Sequence, residues 1–324
     1  MKKNIKLLAL AVAIPAAVTA ILALFNKAVD LKAAKNPEPF GSTYKWKYGN
    51  INYEVSGSGK PLMLIHSLYA GSSLYEWKKA AEKLSEFYTV YNIDLPGYGH
   101  SDKPKMTYSA FTYAALLNDF AKDVIKKPVY VIAANGSANS AIMSAKNYET
   151  IEKLMVISPQ TTETELINKT DKLKCALMEL PVFGTAFYNL CTTKLLMKKS
   201  IADYGFFAKE NIDDDFVNEC MKAAHCAKGN ERYAFAALYT KYMDMDVANL
   251  LTSLNIPVAV CWGEENIHNP IKNMEKLEEL APNAQFMIFE KTRSYPHIEN
   301  ASEFANASKD FFESEVQNDR TADI

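Results

Sequence analysis

The sequence predicts an α/β fold: a mostly parallel central sheet with flanking helices, an inserted helical cap, and an apolar helix in front. Three observations predict it. Short apolar runs alternate with helical periodicity along much of the chain, as strands joined by crossover helices do. That alternation stops after Pro159 and resumes at Ile256, with helical character between. Ahead of both lies Leu7 to Phe25, nineteen residues without a charge.

The amino-terminal run follows Lys2, Lys3 and Lys6 and is closed by Asn26-Lys27. At ~1.5 Å per residue it forms about 28 Å of helix, close to the ~30 Å hydrocarbon core of a bilayer, so it is expected to be a single-pass membrane anchor. A cleaved signal peptide, ending near Val18-Thr19-Ala20 and leaving a secreted protein, is the competing reading. Against cleavage, Ile21 to Phe25 carry the apolar run past the would-be cut. Lysines on both flanks leave the side of the membrane open. Residues 26–42, rich in Lys, Ala and Pro, are expected to be a linker.

Eight strands are expected: Tyr44 to Tyr48, Ile51 to Ser56, Leu62 to His66, Tyr88 to Asp94, Val129 to Ala133, Leu154 to Ser158, Val258 to Trp262 and Gln285 to Phe289. The first two should form a hairpin with Gly49-Asn50 at the turn. Tyr113, Leu116, Leu117, Phe120 and Val124 recur on one face of a helix, a stripe that packs against a sheet. The core is thus expected over residues 43–159 and 249–315, the cap over 160–248, and a polar tail over 316–324. Within the cap, Lys172 to Leu180, Gly184 to Met197, Phe216 to Ala227 and Arg232 to Tyr242 read as helices, and Asp213-Asp214-Asp215 as a helix start rather than a metal site.

Composition narrows the function. Thirty-six Lys and Arg against 38 Asp and Glu, a net charge of -2 with no long basic run, argue against a nucleic-acid partner. Five cysteines without a C-x-x-C pair, and five scattered histidines, argue against a disulfide framework and against a metal site, although Cys220 and Cys226 could pair in an oxidising compartment.

Four segments, in order, carry a resemblance: Leu62 to Ser67 with Trp77 downstream; Asp94-Leu95-Pro96-Gly97-Tyr98-Gly99-His100-Ser101; Ile256 to Gly263; and Pro296 to Phe304. Over about residues 43–315 the chain resembles the α/β-hydrolase superfamily. The resemblance implies an α/β-hydrolase fold, no cofactor, and an oxyanion loop over Ser67 and Leu68 with Gly136 opposite. It also implies a nucleophile on a strained strand-to-helix turn, a histidine and a carboxylate. The positions that match those roles hold Asn135, Ser294 and Asn266, so all three have lost their chemistry.

The sequence therefore points to a catalytically degenerate, membrane-tethered member that holds a small apolar ligand or engages a partner. The alternative is an active serine hydrolase on an ester-like substrate. It would use a displaced set, with Ser137 as nucleophile, His297 as base, and Glu264, Glu265 or Glu163 to orient it. Leu177, Phe183, Phe187, Tyr188, Phe206 and Phe207 of the cap would favour an apolar ligand, with most of them expected to be cap core rather than pocket lining.

Overall fold

The computed structural model describes residues 2–33, 41–160, 169–240 and 242–314, with the side chains of residues 2–14, 33 and 169 outside that set. The eight strands form one sheet: β1 (Ser42–Trp46), β2 (Gly49–Ser56), β3 (Lys60–Ile65), β4 (Tyr88–Ile93), β5 (Val129–Ala134), β6 (Ile151–Ile157), β7 (Val258–Gly263) and β8 (Gln285–Phe289). Their spatial order is β1-β2-β4-β3-β5-β6-β7-β8. The β1–β2 and β2–β4 pairs are antiparallel and every later pair is parallel.

The parallel strands are apolar on both faces because helices cover both. Met63 and Ile65 of β3, with Val129, Val131 and Ala133 of β5, pack into a core under α3 (Ala110–Phe120) and α4 (Gly136–Asn147). The alternate residues Leu62 and Leu64, with Tyr130, Ile132 and Ala134, face the opposite core, under α2 (Lys78–Leu84) and α11 (Ala301–Glu313). The expected stripe holds on α3, where Tyr113, Leu116, Leu117 and Phe120 are buried.

The first hairpin turns two residues earlier than expected, on Lys47-Tyr48, with Trp46 paired to Gly49. Gly49 instead opens β2 at φ +140, where a Cβ would stand 2.7 Å from that of Asp102. Close approach to Asp102, whose carboxylate accepts the Asn50 N–H at 2.7 Å, requires the glycine there.

The block after β4 is organised by the Asp94 carboxylate. It accepts the backbone N–H groups of Leu74 (2.7 Å) and His100 (2.8 Å) and the Asn52 side-chain amide (2.9 Å). An Asp94→Asn variant turns an amide N–H2 toward donors, so we expect a loss of about 2–4 kcal/mol in urea denaturation. A change under about 1 kcal/mol would contradict that role.

Between β6 and β7 the described chain is helical: α5 (Lys169–Met178), α6 (Phe183–Cys191), α7 (Lys194–Ser200), α8 (Asp214–Ala224), α9 (Arg232–Tyr239) and α10 (Val247–Thr252). The single helix expected over Gly184 to Met197 divides at Thr192-Thr193, where Thr193 adopts extended backbone. Asp213 caps α8, its carboxylate accepting the Asp215 N–H at 2.9 Å. All five cysteines are free; burial lifts the Cys220 thiol to about 12.

The amino-terminal helix α1 (Lys2–Ala33) runs eight residues into the expected linker. Its end is helical because it docks. Buried Asn26 donates to Val182 O at 3.0 Å and accepts from the Asn189 amide of α6 at 3.0 Å. Among the described residues no helix is long and apolar enough to cross a membrane. The expected span falls partly on residues whose side chains lie outside the described set, as do the rest of the linker and the tail.

Candidate active site

The turn from β5 into α4 lies at the carboxyl edge of the parallel strands. Asn135 occupies it at φ 50, ψ -124. This is a strained conformation for a residue with a Cβ, and Asn tolerates positive φ better than most side chains. A strained strand-to-helix turn is what displays a nucleophile in an acyl-transfer site. Here the displayed group is an amide. Its Nδ2 donates to Ser67 Oγ at 2.9 Å and to Ser294 O at 3.1 Å, which uses both of its hydrogens.

The three positions matched to a nucleophile, a histidine and an acid do converge. The Ser294 hydroxyl donates to Tyr204 O at 3.0 Å and lies 3.4 Å from Asn266 Oδ1. Asn266 is buried after β7. Its oxygen accepts the His268 and Asn269 N–H groups at 3.1 and 3.0 Å, and its Nδ2 donates to Ser158 Oγ at 3.2 Å. The frame of a triad is present, filled by an amide, a hydroxyl and a second amide. None of these is a base or an ionised nucleophile near neutral pH.

The displaced set is not assembled. Ser137 is fully buried inside α4 and its hydroxyl donates to Ala134 O at 2.9 Å. His297, also fully buried, turns the other way: Nε2 donates to Glu76 Oε1 at 3.1 Å and its ring lies on Trp77 with centroids 4.2 Å apart. Glu264 and Glu265 are exposed after β7, and Glu163 lies outside the described residues.

The oxyanion loop is partly re-employed. The N–H of Ser67 points at both oxygens of Glu76 (3.1 and 3.2 Å), so that donor is committed inward, and the Ser67 hydroxyl donates to Glu76 Oε1 at 2.8 Å. Leu68 and Gly136 do stand together: a Cβ on Gly136 would sit 3.2 Å from that of Leu68. His66 accepts the Leu95 N–H on Nε2 at 3.0 Å, so its Nδ1 carries the proton that meets Ser67 O at 2.7 Å.

Glu76 is thus a hub that sequence reasoning missed. It lies one residue before Trp77 in a short turn over Leu74–Trp77 and is buried, and its carboxylate gathers Ser67 and His297. No spacing or periodicity marks it. Burial lifts the phenols of nearby Tyr69 and Tyr295 well above the ordinary tyrosine value, leaving both neutral.

The six expected cap residues do not form a pocket over this site. Tyr188 and Phe206 are buried in the cap, whereas Leu177, Phe183, Phe187 and Phe207 are exposed. A cavity of about 730 Å³ instead opens between α1 and the cap, lined by Phe25, Val29 and Met221 and edged by Lys32, Lys194 and Lys222.

A family profile described as alpha/beta hydrolase fold matches residues 60–192. The pimeloyl-[acyl-carrier protein] methyl ester esterase of Aliivibrio fischeri is 23% identical over 267 residues, 81% of this chain and 96% of that protein. The meta-cleavage product hydrolase from Pseudomonas fluorescens superimposes with a TM-score of 0.70 at 18% identity, over 85% of this chain and 98% of that one. A solved structure titled as a membrane phospholipase A gives 0.68 at 21% identity, over 96% of this chain and 98% of its own. With the strand order and the strained turn after β5, these likenesses show that the chain has the α/β-hydrolase fold.

Proposed function

We propose that this chain is a membrane-tethered hydrolase-fold protein that works by binding and does not run serine-type acyl transfer. The observation that carries the reading is the elbow itself: Asn135 holds the displayed position and spends its amide hydrogens on Ser67 and Ser294. Acyl transfer needs an activated nucleophile within about 2.6–3.2 Å of a base. Asn135 supplies no hydroxyl or thiol, and the neighbouring position offers the Ser294 hydroxyl in place of an imidazole.

The ligand is an amphipathic small molecule, seated in the cavity between α1 and the cap. Phe25, Val29 and Met221 supply apolar wall, and Lys32 and Lys194, with Lys222 paired to Glu219 at 2.6 Å and Asp215 beside them, supply a charged edge. The tether rests on the apolar run Leu7 to Phe25, the helical backbone of Lys2–Ala33 and the flanking lysines. The alignment over 96% of the chain with a protein titled as a membrane phospholipase A is consistent with it.

The test is turnover of a panel of short- and medium-chain nitrophenyl esters by the full chain in detergent. The expected rate equals that of Ser67→Ala and Ser137→Ala variants. A rate well above both, lost in either variant, would establish an active serine hydrolase.

A further inference from the structure

The cap leaves an apolar stripe uncovered. Leu173 and Leu177 on α5, Leu180 between the helices, and Phe183, Phe187 and Leu190 on α6 follow one another at spacings of three and four, and each is between 41% and 61% exposed. Two side chains per helix turn in water would be unremarkable if scattered. Six in sequence along two packed helices form a continuous apolar face, which on a protein surface marks a binding surface.

Its position says what covers it. On α6 the neighbouring face carries Asn189, which clamps Asn26 of α1, so the exposed stripe runs beside the point where the apolar amino-terminal run meets the body. Ile21, Leu24 and Leu31 of α1 are exposed as well. Lys172 and Lys174 of α5 are exposed beside Leu173 and Leu177, whereas on α7 Lys198 pairs with Asp214 at 3.0 Å and Lys194 donates to Asn218 Oδ1 at 2.9 Å, so the basic rim of this face is the α5 pair. Apolar side chains rimmed by lysine, beside a membrane-directed helix, fit a bilayer bearing anionic headgroups.

We propose that the α5–α6 face of the cap seats on the surface of an anionic lipid bilayer, with Phe183 and Phe187 entering the headgroup layer and the lysines over lipid phosphates. The seating deepens the tethered reading and rests on it for bringing the cap to the bilayer. It gives the protein a second attachment, holding the α1–cap cavity against the lipid from which an amphipathic ligand would enter.

The test uses the full chain reconstituted in vesicles of phosphatidylcholine with or without phosphatidylglycerol, with acyl chains either plain or brominated as quencher. The native tryptophans Trp46, Trp77 and Trp262 are buried and give a constant background. Phe187→Trp reports on the cap face and Leu24→Trp on the tether; both sites are exposed, so the fold tolerates the change. The expected result is that the indole at 187 shifts to the blue and is quenched about twofold by brominated chains, more so with phosphatidylglycerol and less in high salt. Quenching at 24 alone leaves the tether standing and overturns the seating. Quenching at 187 alone supports the seating and removes the tether. Quenching at neither removes both, and a blue shift at 187 that needs protein concentration rather than lipid assigns the face to a second copy and overturns the proposal.

Discussion

Placing serine, aspartate and histidine together at the three matched positions, Asn135→Ser with Asn266→Asp and Ser294→His, is expected to raise nitrophenyl ester hydrolysis at least about 10²-fold over the parent. The geometry is the reason. The Asn135 amide already reaches Ser294 O at 3.1 Å, and Ser294 Oγ lies 3.4 Å from Asn266 Oδ1, so the three positions stand in the contact order of nucleophile, base and acid. Leu68 and Gly136 remain side by side to offer backbone donors. No single substitution should help, because a serine without a base is not ionised and an imidazole without a serine has nothing to activate. Ester hydrolysis is read at fixed enzyme concentration, with the triple variant's fold checked by circular dichroism. A folded triple variant no faster than the parent would mean that the cap turn holding Ser294 through Tyr204 O blocks the imidazole, and that the triad frame is not preserved.

Loss of Glu76 is the largest expected destabilisation. Its carboxylate receives the Ser67 N–H, the Ser67 hydroxyl and His297 Nε2–H inside a region closed to water. Glu76→Ala strands all three donors, and removing one partner of such a buried set costs about 3–5 kcal/mol. Glu76→Gln keeps an oxygen acceptor at the same place and should lose markedly less. Denaturant midpoints of the two variants against the parent decide it; equal losses would show that the carboxylate's charge, which glutamine lacks, and not an oxygen acceptor at that place, is what Glu76 contributes.

The sheet was legible because its parallel strands are buried on both faces and so appear as uninterrupted apolar runs such as Leu62 to Ile65 and Val129 to Ala134. Asp94, Gly97 and Gly99 were legible for a related reason: positive φ at both glycines and close backbone approach to the Asp94 carboxylate leave few residue types that fit. The elbow was found from its place after a strand, and Asn135 stands there. Glu76 and the Asn26 clamp were not legible. Each depends on partners more than 150 residues away, His297 for one and Val182 with Asn189 for the other, and no local pattern encodes such a pairing. The cap aromatics misled for another reason. Exposed and buried apolar residues alternate at helical spacing along α6, and the packing of α1, α5 and α9 against it decides which face is which.

Intact-mass analysis of the full chain after exposure to a fluorophosphonate probe tests most directly whether the elbow has lost its nucleophile. No mass increase is expected, with Ser67 and Ser137 unmodified, because one hydroxyl is bound to Glu76 and the other to Ala134 O. A stoichiometric adduct mapped to Ser67 and abolished by Glu76→Gln, or mapped to Ser137 and abolished by His297→Ala, would contradict it.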